Sequence, residues 1–219
     1  MPPKPKVTKE EVAAAALAIV KEKGIVALTA RELGRRLGTS SCPIFTVFQN
    51  MEDVKRAART LGLREFEEYA SDFVEYTPAF KRIGMLMVSY SIHQPEMFKL
   101  LFMQEHSESQ SFENIIADLG GIADTCIKLI QKDYDMTPEE ARILFEQMWV
   151  YTFGMGAMCA MKVCDFTEDE IAQKLGCVFA GLVMVIRTHN LENIFYQPEK
   201  NSEGFYHGKS VHDLPFIHK

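Results

Sequence analysis

Val12, Ala16, Ile19 and Val20 stand at i, i+4, i+7 and i+8, the spacing of one face of an α-helix. Ala30, Leu33 and Leu37 repeat the pattern at i, i+3 and i+7. Both runs carry their own punctuation. Thr8-Lys9-Glu10-Glu11 and Thr29-Ala30-Arg31-Glu32 have the Thr-x-x-Glu form, in which the threonine hydroxyl accepts from the N3 amide and the N3 carboxylate accepts from the threonine amide. Gly24 and Gly38 follow the two runs, where a left-handed residue satisfies the last carbonyls. A third helix is predicted from Ser40, as its cap, to about Phe48, with Pro43 in the first turn where a missing amide hydrogen costs little. Ile44, Val47 and Phe48 share one side of that helix, so Ser41, Cys42, Phe45 and Thr46 point away from the small core.

Helical patterning continues to residue 190. Residues 51–76 form a charged, amphipathic stretch. Thr77-Pro78 is expected to be a cap followed by proline at N1, opening a helix to about Gln94, and Pro95 ends that helix and begins a shorter one through Phe102. The polar run 104–111 is predicted as a loop. Helix resumes from Phe112 to about Asp133, with Gly120-Gly121 as a kink or break. Thr137-Pro138-Glu139-Glu140 and Thr167-Glu168-Asp169-Glu170 repeat the capping form and open two long helices, about 138–163 and 168–190. No run alternates with period two, so the expected fold is all-α with about nine helices. Its expected parts are a three-helix unit (1–50), a larger helical body (51–190) and a tail (191–219). The tail holds Phe195, Tyr196, Phe205, Tyr206 and Phe216, too aromatic for a plain disordered segment.

A helix, a short glycine-containing turn and a second helix with small polar residues on its outer face form a helix-turn-helix, whose second helix enters the DNA major groove. The run from Val12 through Gly24, then Leu28-Thr29-Ala30-Arg31-Glu32-Leu33, Gly38-Thr39-Ser40, Ile44-Phe45-Thr46-Val47-Phe48 and Asn50-Met51-Glu52-Asp53-Val54 resembles the N-terminal domain of the TetR family of bacterial transcriptional regulators. That resemblance implies a homodimer, usually a repressor, released from its operator when a small molecule binds the C-terminal domain. It also implies a DNA-binding set. Thr29 matches a phosphate-contacting position, Arg31 a position that can reach a base edge, and Ser41, Cys42 and Pro43 the positions where the third helix meets the bases. Ser40, Phe45 and Thr46 complete the candidate surface. Phe45 stands where the family often has Tyr, and Met51 where a phosphate-binding Lys is common. Arg35, Arg36, Lys55 and the basic arm at Lys4 and Lys6 are cations that could compensate at the DNA backbone.

The charge distribution sharpens this picture. The chain's net charge of −6 divides unevenly: residues 1–60 hold 11 Lys/Arg and 6 Asp/Glu, about +5, and the rest hold 13 and 24, about −11. An acidic chain therefore carries a basic head, as affinity for phosphates requires.

Met148–Met161 and Leu175–Ile186 are apolar over most of the helix circumference and rich in glycine and alanine. A helix of that kind is buried on all sides, and the resemblance implies a dimer interface made by helices 138–163 and 168–190. Gly154-Met155-Gly156-Ala157 lacks the preceding strand that a dinucleotide-binding loop needs. Met87, Tyr90, His93, Phe102, Met103, Trp149 and Phe153 are the candidate lining of an effector site, soft and aromatic enough for an apolar molecule. No nucleophile elbow, P-loop or H-E-x-x-H occurs, so no enzyme activity is expected. The five cysteines form no C-x-x-C pair, and neither a metal nor a cofactor is expected. Met1-Pro2-Pro3-Lys4 has no apolar h-region, and neither long apolar stretch could span a bilayer, so a cytoplasmic protein is expected. A helical ligand-binding or adaptor protein that has kept the fold but lost specific DNA binding is the alternative.

Overall fold

The computed structural model describes residues 7–104, 111–119 and 121–188. The described residues form nine α-helices and no strand, the all-α fold that the patterning predicts. The chain falls into two compact units, Met1–Ala180 and Gly181–Lys219; the described part of the second is the end of the last helix. The tail 191–219, the arm at Lys4 and Lys6 and most of the 104–111 loop lie outside the described residues.

Helix α1, Lys9–Lys23, begins at the Thr8 capping box with Glu10 and Glu11 in its first turn and ends with Lys21 and Lys23 in its last, each charge set matching the helix dipole. Gly24, at φ +78°, donates to Val20 O at 2.8 Å. Helix α2, Ala30–Arg36, ends in a Schellman motif: Gly38, at φ +66°, donates to Arg35 O at 3.3 Å and Thr39 to Gly34 O at 2.9 Å. The predicted apolar face is real, since Val12, Ala16, Ile19, Val20 and Leu33 are wholly buried.

The third helix of the head is a correction. Residues 41–48 form a single 3-10 turn, Ile44–Thr46, preceded by Pro43 at φ −60° and with no side-chain cap; Ser40 does not cap it. Ile44, Phe45 and Thr46 donate three residues back, to Ser41, Cys42 and Pro43. Two causes act together. Pro43, Ile44, Phe45, Thr46, Val47 and Phe48 are all weak helix formers, and Thr46 Oγ1 donates to Pro43 O at 2.6 Å, offering the backbone a local alternative to the helix ladder. The sidedness survives nonetheless: Ile44 is wholly buried and Val47 and Phe48 pack against the same core.

Helix α3, Met51–Tyr69, starts at Asn50, whose Oδ1 accepts from Asp53 N. It buries Val54, Ala58 and Phe66 in one continuous core that also holds Val12, Leu33 and Ile44 of the head and Met97 and Phe98 beyond it. Instead of continuing to residue 76, the chain tightens to a 3-10 segment, Ser71–Glu75, where Ser71 and Asp72 are poor helix formers. Helix α4, Ala79–His93, follows with Pro78 as its extended cap rather than as N1, and Thr77 makes no cap. Then come α5, Pro95–Phe102; α6, Phe112–Ala117; α7, Gly121–Tyr134; α8, Pro138–Ala160; and α9, Glu168–Arg187. Thr137 makes a full capping box with Glu140, and Thr167 exchanges the same two bonds with Glu170. Helix α8 packs on α4, α5 and α7, and α5 also touches α1 and α3. The close passage of α5 and α8 uses Gly156, where a Cβ would lie 2.5 Å from Phe98 Cζ.

Candidate nucleic-acid interface and ligand cavity

The outer face of the head is built by subtraction. Ile44 anchors the 3-10 turn in the core, which leaves Cys42, Phe45 and Thr46 exposed and Ser41 and Pro43 half-buried beside them. Ser40 is exposed in the turn before them. Gly34 sets their height above the core: a Cβ there would stand 3.0 to 3.2 Å from backbone atoms of Thr39 and Ser40, so α2 and the turn meet at backbone distance.

Thr29, exposed at the start of α2, accepts from Glu32 N at 3.2 Å, but the reciprocal half of the expected capping box is absent. The Glu32 carboxylate instead accepts from Lys23 Nζ at 2.6 Å and from Arg35 at 2.7 and 2.9 Å. Hydrogen bonds from Arg35 and then Lys23 hold its pKa down at about 2; two cations outcompete one neutral amide for the carboxylate. The other cations of the head are similarly engaged. Arg36 pairs with Glu22 through two bonds of 2.7 Å, Lys55 with Glu52 at 2.7 Å, and Arg56 with Asp53 at 3.2 Å. Arg31 is exposed and has no ion pair among the described residues. Lys9 lies 5.9 Å from the Phe48 ring centroid, at the inner edge of the same turn.

The body holds a partly open cavity of about 140 Å³. Leu63 and Phe66 of α3, Met87 of α4, Phe102 of α5 and Met148 and Trp149 of α8 form much of its wall. Of the expected effector-site residues, Met87, Phe102 and Trp149 line it, and four do not. Tyr90 is 4% exposed within the core, edge-on to Phe66 with ring centroids 5.0 Å apart, and burial pushes its hydroxyl pKa up. His93 is exposed, with Nδ1 2.9 Å from Ser89 O. Met103 is half-buried. Phe153 stands one turn away, stacked on Trp149 at 5.3 Å.

Several lining groups carried no signal in the sequence. Thr152 and Cys126 are small residues amid apolar periodicity, and Tyr134 lies at the end of α7. Their shared cavity becomes visible only once α4, α7 and α8 are packed. Burial raises the Cys126 thiol to about 12 and raises Tyr134, with Asp133 adding to the effect. Leu63 and Phe66, at i and i+3, were legible as one face of α3, but not as the wall of a cavity.

Helices α8 and α9 also leave apolar positions open. Val150 is 50% exposed and Met158 37%, Cys177 and Ala180 are exposed, and a Cβ at Gly154 or Gly176 would meet no atom within 4 Å. Among the described residues, no cluster of three His, Cys, Asp or Glu side chains could hold a metal ion, and no helix is long and apolar enough to cross a membrane. No protein-family model matches the chain, and no curated protein matches it.

Proposed function

We propose that this protein is a dimeric DNA-binding transcriptional regulator of the TetR type, a cytoplasmic repressor released from a pseudo-palindromic operator by a small, largely apolar effector. The observation that carries this reading is the tip of the head. A buried Ile44 projects Cys42, Phe45 and Thr46 outward on a basic N-terminal segment that also exposes Arg31, which has no ion pair among the described residues. Arg31 would read a base edge, Thr29 would hold a phosphate, and the 3-10 turn would lie against the groove. The open apolar positions of α8 and α9 support a homodimer through those helices, which would set two heads on successive major grooves about 34–36 Å apart. Effector in the cavity would press on Leu63 and Phe66, which share helix α3 with the head, and so change that separation.

A second reading, a helical ligand-binding protein without specific DNA binding, draws on one observation: Arg35, Arg36 and Lys55 are already held by carboxylates. One experiment separates the two. Fluorescence anisotropy with duplexes from the protein's own upstream region, at two salt concentrations, should show saturable binding that weakens steeply with salt for the regulator. Binding no better than to random duplex would eliminate the regulator and favour the second reading.

A further inference from the structure

The lining of the cavity carries information about what it would hold. Its exposed surface is almost wholly carbon and sulfur, and its one charged residue, Lys81, is itself exposed to solvent. Its volume, about 140 Å³, is close to that of an engineered apolar cavity of roughly 150 Å³ that stays dry and takes up benzene. One six-membered ring fits that space. Water is a poor occupant, because an ordered water needs two to four polar partners and this wall offers few.

One polar atom breaks the apolar wall. Thr152 is 4% exposed and lines the cavity, yet its hydroxyl makes no hydrogen bond among the described residues. A threonine inside a helix can return its hydroxyl to a carbonyl of the preceding turn; left unpartnered against an apolar wall, this one is available to a polar group on a bound molecule. It stands across from Gly84, where a Cβ would lie 3.8 Å from Thr152 Oγ1 and 3.3 Å from Leu175 Cδ1. The absent side chain at Gly84 leaves room in front of the hydroxyl.

We propose that the cavity binds a neutral, single-ring aromatic molecule bearing one hydroxyl, a phenol, with its ring against Trp149 and its hydroxyl hydrogen-bonded to Thr152. This rests on the reading of the cavity as an effector site. A carboxylate on the ring would lose its hydration in an apolar wall.

Trp149 is the chain's single tryptophan, so its fluorescence reports on the cavity. The experiment titrates the full-length protein, without DNA, with phenol, toluene and benzoate. Phenol should bind saturably and roughly 3- to 10-fold more tightly than toluene, the worth of one neutral hydrogen bond, and benzoate more weakly than either. Thr152→Val keeps the shape and should bring phenol down to the affinity of toluene, leaving toluene unchanged. Gly84→Ala, a substitution that favours helix, should weaken both by filling the space. Tighter binding of benzoate, no saturable binding of phenol, or an unchanged phenol preference in Thr152→Val would overturn the proposal. Phenol binding that leaves operator affinity unchanged would keep this inference and remove the repressor mechanism. Release of operator only by larger or charged compounds would do the reverse.

Discussion

Arg59 on α3 donates from Nε to the carbonyl oxygen of Leu101 at 2.9 Å, and its Nη1 lies 3.7 Å from Asp118. Leu101 precedes the cavity residue Phe102, and Asp118 precedes the cavity residue Leu119. A single guanidinium thus ties the helix that enters the head to two walls of the cavity. Arg59→Leu should lower stability by about 1.5–3 kcal/mol, the value of a partly buried hydrogen bond to a charged group, measured by urea denaturation. It should also reduce the factor by which effector weakens operator binding, without abolishing either binding event; by linkage the same loss must appear in the effect of operator on effector.

Gly34 predicts the opposite of what a helix glycine usually predicts. Alanine at an ordinary helix position gains about 1 kcal/mol over glycine, but here the new methyl would press on the backbone of Thr39 and Ser40, which cannot rotate away as a side chain can. Gly34→Ala should lower the melting temperature, by a cost of about 1–3 kcal/mol, and should weaken DNA binding further than the stability loss explains. A rise in melting temperature would mean that the turn can shift.

The pH dependence of the head follows from Glu32. Its pKa falls from 4.5 to about 2 in the folded protein, chiefly through the hydrogen bond from Arg35 and then that from Lys23. A carboxyl with a lowered folded pKa contributes stability that is complete above the unfolded value and is lost as pH falls toward the folded one. Stability should therefore decline between about pH 4.5 and 2. Glu22 and Glu170 shift in the same direction, so Glu32→Gln should flatten part of this decline. Thermal melts at pH 5 and pH 2.5 on both proteins measure the share.

Cysteine alkylation maps two of the proposed surfaces at once. Cys42 and Cys177 are exposed, whereas Cys126 is buried, with its thiol raised to about 12. Because the thiolate is the reactive form, Cys126 should stay unmodified by iodoacetamide while Cys42 reacts. Mass spectrometry should find Cys177 reactive in dilute protein and protected once α9 is covered in a dimer. Modification of Cys42 should abolish operator binding, and Cys42→Ser should spare binding from the reagent.

Arg31 and Arg35 stand in the same short helix but in different states, one free of ion pairs among the described residues and the other clamped to Glu32 at 2.7 Å. Arg31→Ala should cost about 1–3 kcal/mol of operator affinity and relax the preference for one base pair. Arg35→Ala should cost less in DNA binding and instead release Glu32, visible as a smaller pH effect on the melt. Equal losses at the two positions would show that neither reads a base.

Much of the architecture lay open in local chemistry. The capping threonines Thr8, Thr137 and Thr167, the stop at Gly38 and the break at Pro95 could all be placed from the chain alone, because each depends on residues within one helical turn. The buried faces of α1 and α2 were equally legible, since a 3.6-residue period needs no knowledge of the partner.

The rest was decided by competition between local preferences and by packing. Ser40 to Phe48 had a helix's sidedness, but its weak formers and the Thr46 hydroxyl made a 3-10 turn. Glu32 had the spacing of a capping box, yet Arg35 in its own helix and Lys23, nine residues away across the meeting of α1 and α2, captured it together. Trp149, Phe153 and Tyr90 looked alike as candidates; only the meeting of the helices assigned the first to a cavity, Tyr90 to the core and Phe153 to a half-buried place against it. Periodicity and capping are properties of neighbouring residues in the chain and are written there, whereas an ion pair between helices or an unfilled volume exists only where distant segments come together.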